Sequence, residues 1–74
     1  MNGIGWAVKS MQYGSAVTRR GWNGPGQCLR IQKPDENSKM TLGYIYIKTV
    51  QGDLVPWLAS QTDILAIDWE LADE

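Results

Sequence analysis

Apolar residues at helical spacing open the chain. Ile4, Ala7, Val8 and Met11 fall on one face of a helix, and polar residues occupy the opposite face. This pattern predicts a short amphipathic helix over about residues 3–12.

Alternation of polar and apolar positions then predicts strands. The strongest signal covers residues 44–50, where Tyr44 and Tyr46 share one face and Ile45 and Ile47 the other. Weaker signals predict four further short strands, over residues 16–19, 27–32, 54–55 and 68–71. Cys28 is expected to face inward, and Pro56 is expected to end the strand that begins at Leu54, because proline cannot donate to a central ladder.

Two segments interrupt this pattern. Residues 21–26 hold three glycines and a proline, which predicts an irregular loop. Ser60-Gln61-Thr62-Asp63 is an N-terminal helix signal ahead of an apolar run, which predicts a second short helix. The expected fold is therefore α+β: a small single domain over residues 1–74, with an antiparallel sheet and two short helices.

Length and composition suggest that this domain is oligomeric. The chain has 74 residues, of which 43% are hydrophobic, with one cysteine and no histidine. Chains below roughly 70–80 residues rarely obtain more than about 3–5 kcal/mol from a single core. An internal disulfide and the usual His/Cys metal sites are excluded, so association between copies is the expected source of extra burial. The lone cysteine, the lack of a secretory signal and the lack of a membrane-spanning stretch predict a cytoplasmic protein.

Charge is unevenly distributed along the chain. The net charge is -1, which argues against a protein dedicated to binding DNA or RNA. All seven basic residues lie in residues 1–48, and six of the eight acidic residues lie in residues 49–74. The two halves either neutralise each other internally, or the basic half attracts an anionic ligand such as a phosphate.

The inventory of chemical groups offers little for catalysis. Without histidine there is no Ser-His or Cys-His pair, and no acidic cluster has the spacing of a metal site. Asp63 or Asp68 could act as a general base and Arg20 could stabilise an anion, but no spacing assembles them into a reaction. We therefore expect a protein that is not an enzyme and that carries no cofactor or metal.

A binding site is better supported, first by the segment Arg-Arg-Gly-Trp-Asn-Gly at residues 19–24. The Trp22 ring could stack on a nucleobase, Arg20 and its neighbour Arg19 could contact phosphates, and Asn23 offers a donor and an acceptor. Gly24 and the other loop glycines would let the backbone approach a ligand closely. The alternative is that Trp22 only anchors the loop to the core and that Arg20 forms a surface ion pair.

A second candidate segment, Val-Pro-Trp-Leu-Ala-Ser-Gln-Thr-Asp, spans residues 55–63. The helix start at Ser60, Gln61, Thr62 and Asp63 could bind an anion or, through Asp63, a ribose hydroxyl. The alternative is that Ser60, Thr62 and Asp63 only cap the helix. Trp57 is more simply explained as a core residue, as are Trp6 and Trp69.

These two segments, followed by Asp-Trp-Glu at residues 68–70, resemble a family over nearly the full chain. The family is a small phage and prophage domain, once of unknown function, that includes the type-two Thoeris anti-defence proteins. The resemblance implies a sponge that sequesters a cyclic ADP-ribose-type immune signal, glycocyclic ADP-ribose, without cleaving it. The effector of Thoeris defence then stays inactive in the cytoplasm of the infected bacterial host.

The same resemblance implies a homotetramer with pockets between protomers, and in some members separate sites for cyclic di- or trinucleotides. It assigns the ligand to residues at the family-pattern positions, namely Arg20, Trp22, Asn23, Gly24, Ser60, Gln61, Thr62 and Asp63. Two alternatives stay open from the residues alone. One is a phage structural or protein-interaction module that docks through the Tyr44 and Tyr46 face, and the other is an enzyme acting on a dinucleotide.

Overall fold

Among the described residues, five antiparallel strands, numbered β1 to β5 along the chain, form one sheet in the order β4-β3-β2-β1-β5. The structure is a computed structural model that describes residues 1–72, so Asp73 and Glu74 of the predicted domain lie outside the described residues. The elements in chain order are α1 Ile4–Gln12, β1 Val17–Arg19, β2 Cys28–Gln32, β3 Tyr44–Lys48, β4 Leu54–Pro56, α2 Gln61–Leu65 and β5 Trp69–Leu71. Residues 1–72 form a small, compact domain with two helices, as the sequence pattern predicts.

The core lies between α1 and one face of the sheet. Ala7 and Met11 of α1 are buried against Val17, Leu29 and Trp69 of three different strands. The helical spacing of apolar residues near the N-terminus therefore predicts correctly both the helix and the face that it buries.

The register of β3 separates its tyrosines from its isoleucines. Ile47 lies opposite Leu29 and packs against the core, as does Ile45. Side chains alternate along a strand, so Tyr44 and Tyr46 lie on the other face of the sheet. We call this the outer face, and it lies opposite α1, which confirms the predicted division of β3. Cys28 is buried, but it lies opposite Lys48 and next to the core-facing Leu29. The same alternation therefore places Cys28 on the outer face, and the expectation that it faces inward is wrong.

The β3–β4 hairpin differs from its prediction at both ends. β3 stops at Lys48 rather than residue 50, because the N–H of Thr49 bonds to the carbonyl of Asp53 and closes a turn. β4 includes Pro56, which lies opposite Tyr46. Proline is tolerated there because β4 is an edge strand, where a missing N–H leaves no ladder partner unsatisfied.

At the other edge of the sheet, the N-terminal residues cover β5. The N–H of Asn2 bonds to the carbonyl of Ile67, and the carbonyl of Asn2 accepts from the N–H of Trp69. Trp69 is 1% exposed. Within residues 1–72, no helix has both the length and the apolarity needed to cross a membrane.

Candidate functional site

The two segments singled out in the sequence meet in space. The first begins in β1 and continues into a turn closed by a hydrogen bond from the N–H of Trp22 to the carbonyl of Arg19. The second leads into α2, and its last residue, Asp63, accepts a hydrogen bond from Nε1 of Trp22 at 3.0 Å. Residues 41 positions apart in the chain are thus in direct contact.

Ser60 and Asp63 form the predicted helix cap. The Ser60 hydroxyl accepts from the backbone N–H of Asp63, and the Asp63 carboxylate accepts from Ser60 in return. This reciprocal pair satisfies donors that a helix N-terminus leaves free. The capping interpretation of these two residues is therefore confirmed, and α2 extends for only five residues.

Arg19 connects the same carboxylate to a second one. Its Nη1 lies 2.8 Å from Oδ1 of Asp63, and its Nε lies 2.8 Å from Oδ1 of Asp68. The other oxygen of Asp68 accepts from the backbone N–H of Gly21 at 2.8 Å. A half-buried guanidinium in β1 therefore joins the start of α2 to the residue before β5, and Asp68 holds the turn in front of Trp22.

This network shifts the ionisation of all three side chains. Burial works against the charged form of Asp63, but hydrogen bonds from Trp22, Arg19 and Ser60 outweigh it and hold its pKa below the ordinary value. The pKa of Asp68 is lowered chiefly by its hydrogen bond from Arg19, against a smaller opposing effect of burial. The hydrogen bonds to Asp68 and then Asp63 raise the pKa of Arg19. Both carboxylates are therefore ionised near neutral pH.

Three indole rings pack around this network. Trp22 meets Trp69 edge-to-face, with ring centroids 5.4 Å apart and planes at 78°. Trp57 meets Trp69 from another direction, at 6.1 Å and 89°. Trp22 is half-buried against the core, so the interpretation of this ring as a loop anchor describes part of its role.

Beside this cluster, the surface forms an open depression of about 320 Å³. Its lining includes three of the predicted ligand residues, Arg20, Trp22 and Gly24. Glu70 also lines it and lies 3.6 Å from the Nε of Arg20, in an ion pair whose arginine side chain is 77% exposed. A guanidinium and an indole thus border the same cavity.

The other predicted ligand residues are placed differently. Asn23 is exposed in the loop, and its carbonyl accepts from the Gln27 side chain. Gln61 and Thr62 are exposed in the first turn of α2, next to the cap at Ser60. Among the described residues, these side chains do not line the depression.

Sequence reasoning missed the roles of Arg19 and Glu70. Arg19, which could contact a phosphate, bridges two carboxylates and also lines the depression. Glu70, the last residue of the Asp-Trp-Glu motif, forms with Arg20 the surface ion pair that was the alternative interpretation of this arginine. The charge asymmetry between the chain halves was the available signal. All three ion pairs found among the described residues join the basic half to the acidic half, as internal neutralisation predicts.

Within residues 1–72, no three His, Cys, Asp or Glu side chains converge closely enough to hold a metal ion. The geometry instead combines an ordered loop, a cation, an aromatic ring and an open depression. Such a combination suits the binding of an anionic, ring-bearing molecule.

Comparison with known proteins agrees with the resemblance seen in the motifs. The sequence model of the "Thoeris anti-defense 2-like domain" matches residues 2–72. The chain is also similar to "Thoeris anti-defense 2" of Bacillus phage SP01. The two are 31% identical over an alignment 81 positions long, which covers 92% of this chain and 91% of the relative. This chain therefore belongs to the Thoeris anti-defense 2-like family, and that membership supports a role in phage anti-defence.

Proposed function

We propose that this protein is a sponge for a nucleotide immune signal. It binds a cyclic ADP-ribose-type molecule, glycocyclic ADP-ribose, and holds it intact, so that the Thoeris effector in the host cytoplasm is never activated. The observation that carries this proposal is the pairing of Arg20 with Trp22 at one open depression, in a chain of this family.

The lining of the depression matches the chemistry of such a ligand. The forked donors of Arg20 suit a pyrophosphate, and the flat ring of Trp22 suits an adenine face. The backbone at Gly24 has no side chain to keep a ligand away, and Asn23 next to it offers an amide. Ser60, Gln61 and Thr62 lie outside this lining and carry no part of the proposal.

Binding without cleavage agrees with the state of the carboxylates. A general base works best when its pKa lies near the operating pH. Hydrogen bonds hold the pKa of Asp63 below the ordinary carboxyl value despite its burial, and all of those donors come from the protein itself. Such a carboxylate is a weak base, so Asp63 is poorly suited to abstracting a proton from a bound nucleotide.

The size of the depression suggests that a second copy completes the site. About 320 Å³ is near the lower end of the 300–1,000 Å³ typical of small-molecule pockets, and the depression is open to solvent. We propose a homotetramer with sites between protomers. The outer face supplies apolar surface for this contact, since Tyr44 and Leu54 are 42% and 64% exposed there.

Calorimetric titration with glycocyclic ADP-ribose, followed by heat release and mass spectrometry of the ligand, tests the proposal. Tight binding with the ligand recovered intact is expected, whereas an altered ligand would mean catalysis. Arg20→Gln should weaken binding at least about tenfold, because hydrogen bonds between charged groups are worth about 1.5–3 kcal/mol. Lys39→Gln removes the same charge from an exposed loop position and should bind like the unmodified protein.

A second candidate function is supported by the outer face alone. Met40, Leu42, Tyr44 and Leu54 are all exposed apolar or aromatic residues near β3 and β4, which is typical of a protein-docking surface. A phage protein-interaction module would use this surface and bind no nucleotide. Absence of binding to glycocyclic ADP-ribose and to cyclic di- and trinucleotides would favour this function.

A further inference from the structure

The carboxylate of Asp63 has its hydrogen-bonding capacity filled from within the chain. A carboxylate can accept at about four lone-pair positions. Oδ1 accepts from Arg19 at 2.8 Å and from Trp22 at 3.0 Å. Oδ2 accepts from the hydroxyl and the backbone N–H of Ser60, at 2.9 Å and 3.4 Å. A ligand hydroxyl could bond to this carboxylate only by displacing one of these donors.

Asp63 also restrains the neighbouring ring. Its backbone carbonyl accepts from Nε1 of Trp69 at 3.2 Å, while its carboxylate accepts from Nε1 of Trp22. An indole has a single N–H donor, so one residue engages the donor of both rings. The edge-to-face contact between Trp22 and Trp69 is therefore fixed by a hydrogen bond from each indole N–H to Asp63.

We propose that Asp63 is a positioning residue that acts on the ligand through Trp22 and not by contact. Arg19 supports it by tying Asp63 to Asp68, which in turn holds the turn at Gly21. The network presents the Trp22 ring to the depression in one orientation before the ligand arrives, which lowers the ordering cost of binding. This inference rests on the proposed function where it concerns the ligand. The orientation of the Trp22 ring does not depend on that function.

The orientation is tested without ligand, by the indole N–H resonances of the ¹⁵N-labelled protein. Trp22→Phe identifies the Trp22 signal by its loss. In Asp63→Asn that signal should move upfield and broaden, because the charged acceptor is gone. The Trp69 signal should move much less, since its acceptor is the backbone carbonyl that the substitution keeps. Asp53→Asn neutralises an exposed turn carboxylate and should leave both signals in place. An unmoved Trp22 signal in Asp63→Asn would overturn the inference.

Affinity for glycocyclic ADP-ribose then separates positioning from contact. Asp63→Asn should raise Kd about tenfold in the unmodified background but less than about threefold when Trp22 is already phenylalanine, because coupled residues are non-additive. An undiminished effect in the Trp22→Phe background would show direct contact and refute positioning.

Arg19→Lys gives a second test that leaves Asp63 and Trp22 unchanged. An ammonium lacks the planar fork that bridges both carboxylates, so the bonds to Asp63 and Asp68 cannot both keep their geometry. Positioning predicts weaker binding and a displaced Trp22 signal, whereas direct contact predicts equal or tighter binding. If the unmodified protein binds no glycocyclic ADP-ribose, the proposed function fails, and the indole resonances alone decide whether Asp63 orients Trp22.

Discussion

Replacing Gly24 with alanine should destabilise the fold through a specific steric clash. Gly24 has φ of +100°, and a Cβ there would lie 2.7 Å from Cγ2 of Val50 and 3.2 Å from Nε2 of Gln27. Gly26, two residues later, has φ of +81° but open space around the same position. The pair therefore separates backbone strain from steric overlap within one loop.

The structure sets the size of each effect. Left-handed backbone costs an ordinary L-residue about 1–2 kcal/mol, and this applies to both positions. Overlap with Val50 adds a cost at the lower end of the range of about 1–3 kcal/mol found in overpacked cores, because Val50 is 52% exposed, and only Gly24 incurs it. Val50 cannot easily turn away because its branched side chain has few rotamers. We expect Gly26→Ala to lose about 1 kcal/mol and Gly24→Ala about 2 kcal/mol, against a total of about 5 kcal/mol for a domain of this size.

Urea unfolding followed by tryptophan fluorescence measures both losses, at one fixed protein concentration so that any association is held constant. Thermal midpoints should fall by about 4–8 °C per kcal/mol. Equal losses in the two variants would refute the overlap at Gly24, and with it the close approach of the Trp22 loop to Val50. A larger loss of stability in Gly26→Ala than in Gly24→Ala would mean that the steric constraint lies at Gly26 and not at Gly24.

Three further predictions concern charge and association. The pKa values of Asp63 and Asp68 are lower in the folded than in the unfolded state, so their ionised forms stabilise the fold. This stabilisation is complete when the pH lies above the unfolded-state pKa of about 3.9, and it is lost as the pH falls through the lower folded-state pKa values. The urea midpoint should therefore fall as the pH drops below about 4, and by less in Asp63→Asn; a flat profile would contradict the network. Glu70→Gln should tighten binding of glycocyclic ADP-ribose up to about fivefold, because it removes a negative charge worth about 0.2–1 kcal/mol beside Arg20, the residue proposed to bind the phosphates. Weaker binding in calorimetry would contradict that proposed role. If the proposed homotetramer forms, Tyr46→Asp should reduce it to smaller species in sedimentation velocity, and an unchanged homotetramer would exclude the outer face as the contact between copies.

Local sequence determined the elements of this protein. The spacing of apolar residues in α1 and the alternation in β3 were sufficient because each pattern fixes which side chains share a face, whatever surrounds them. The cap at Ser60 and Asp63 was equally local, since its donors and acceptors lie three residues apart. Family membership was also visible in the sequence, through motifs that run nearly its full length.

Only the tertiary structure decided what the candidate site residues touch. The strand order brings β5 beside β1, so that Arg19 lies between Asp63 and Asp68, which are more than 40 residues away in the chain. The position of Pro56 within β4 likewise depended on that strand being at the edge of the sheet. Periodicity indicates which face a side chain occupies but not which distant residue lies opposite, because that is set by strand order and register.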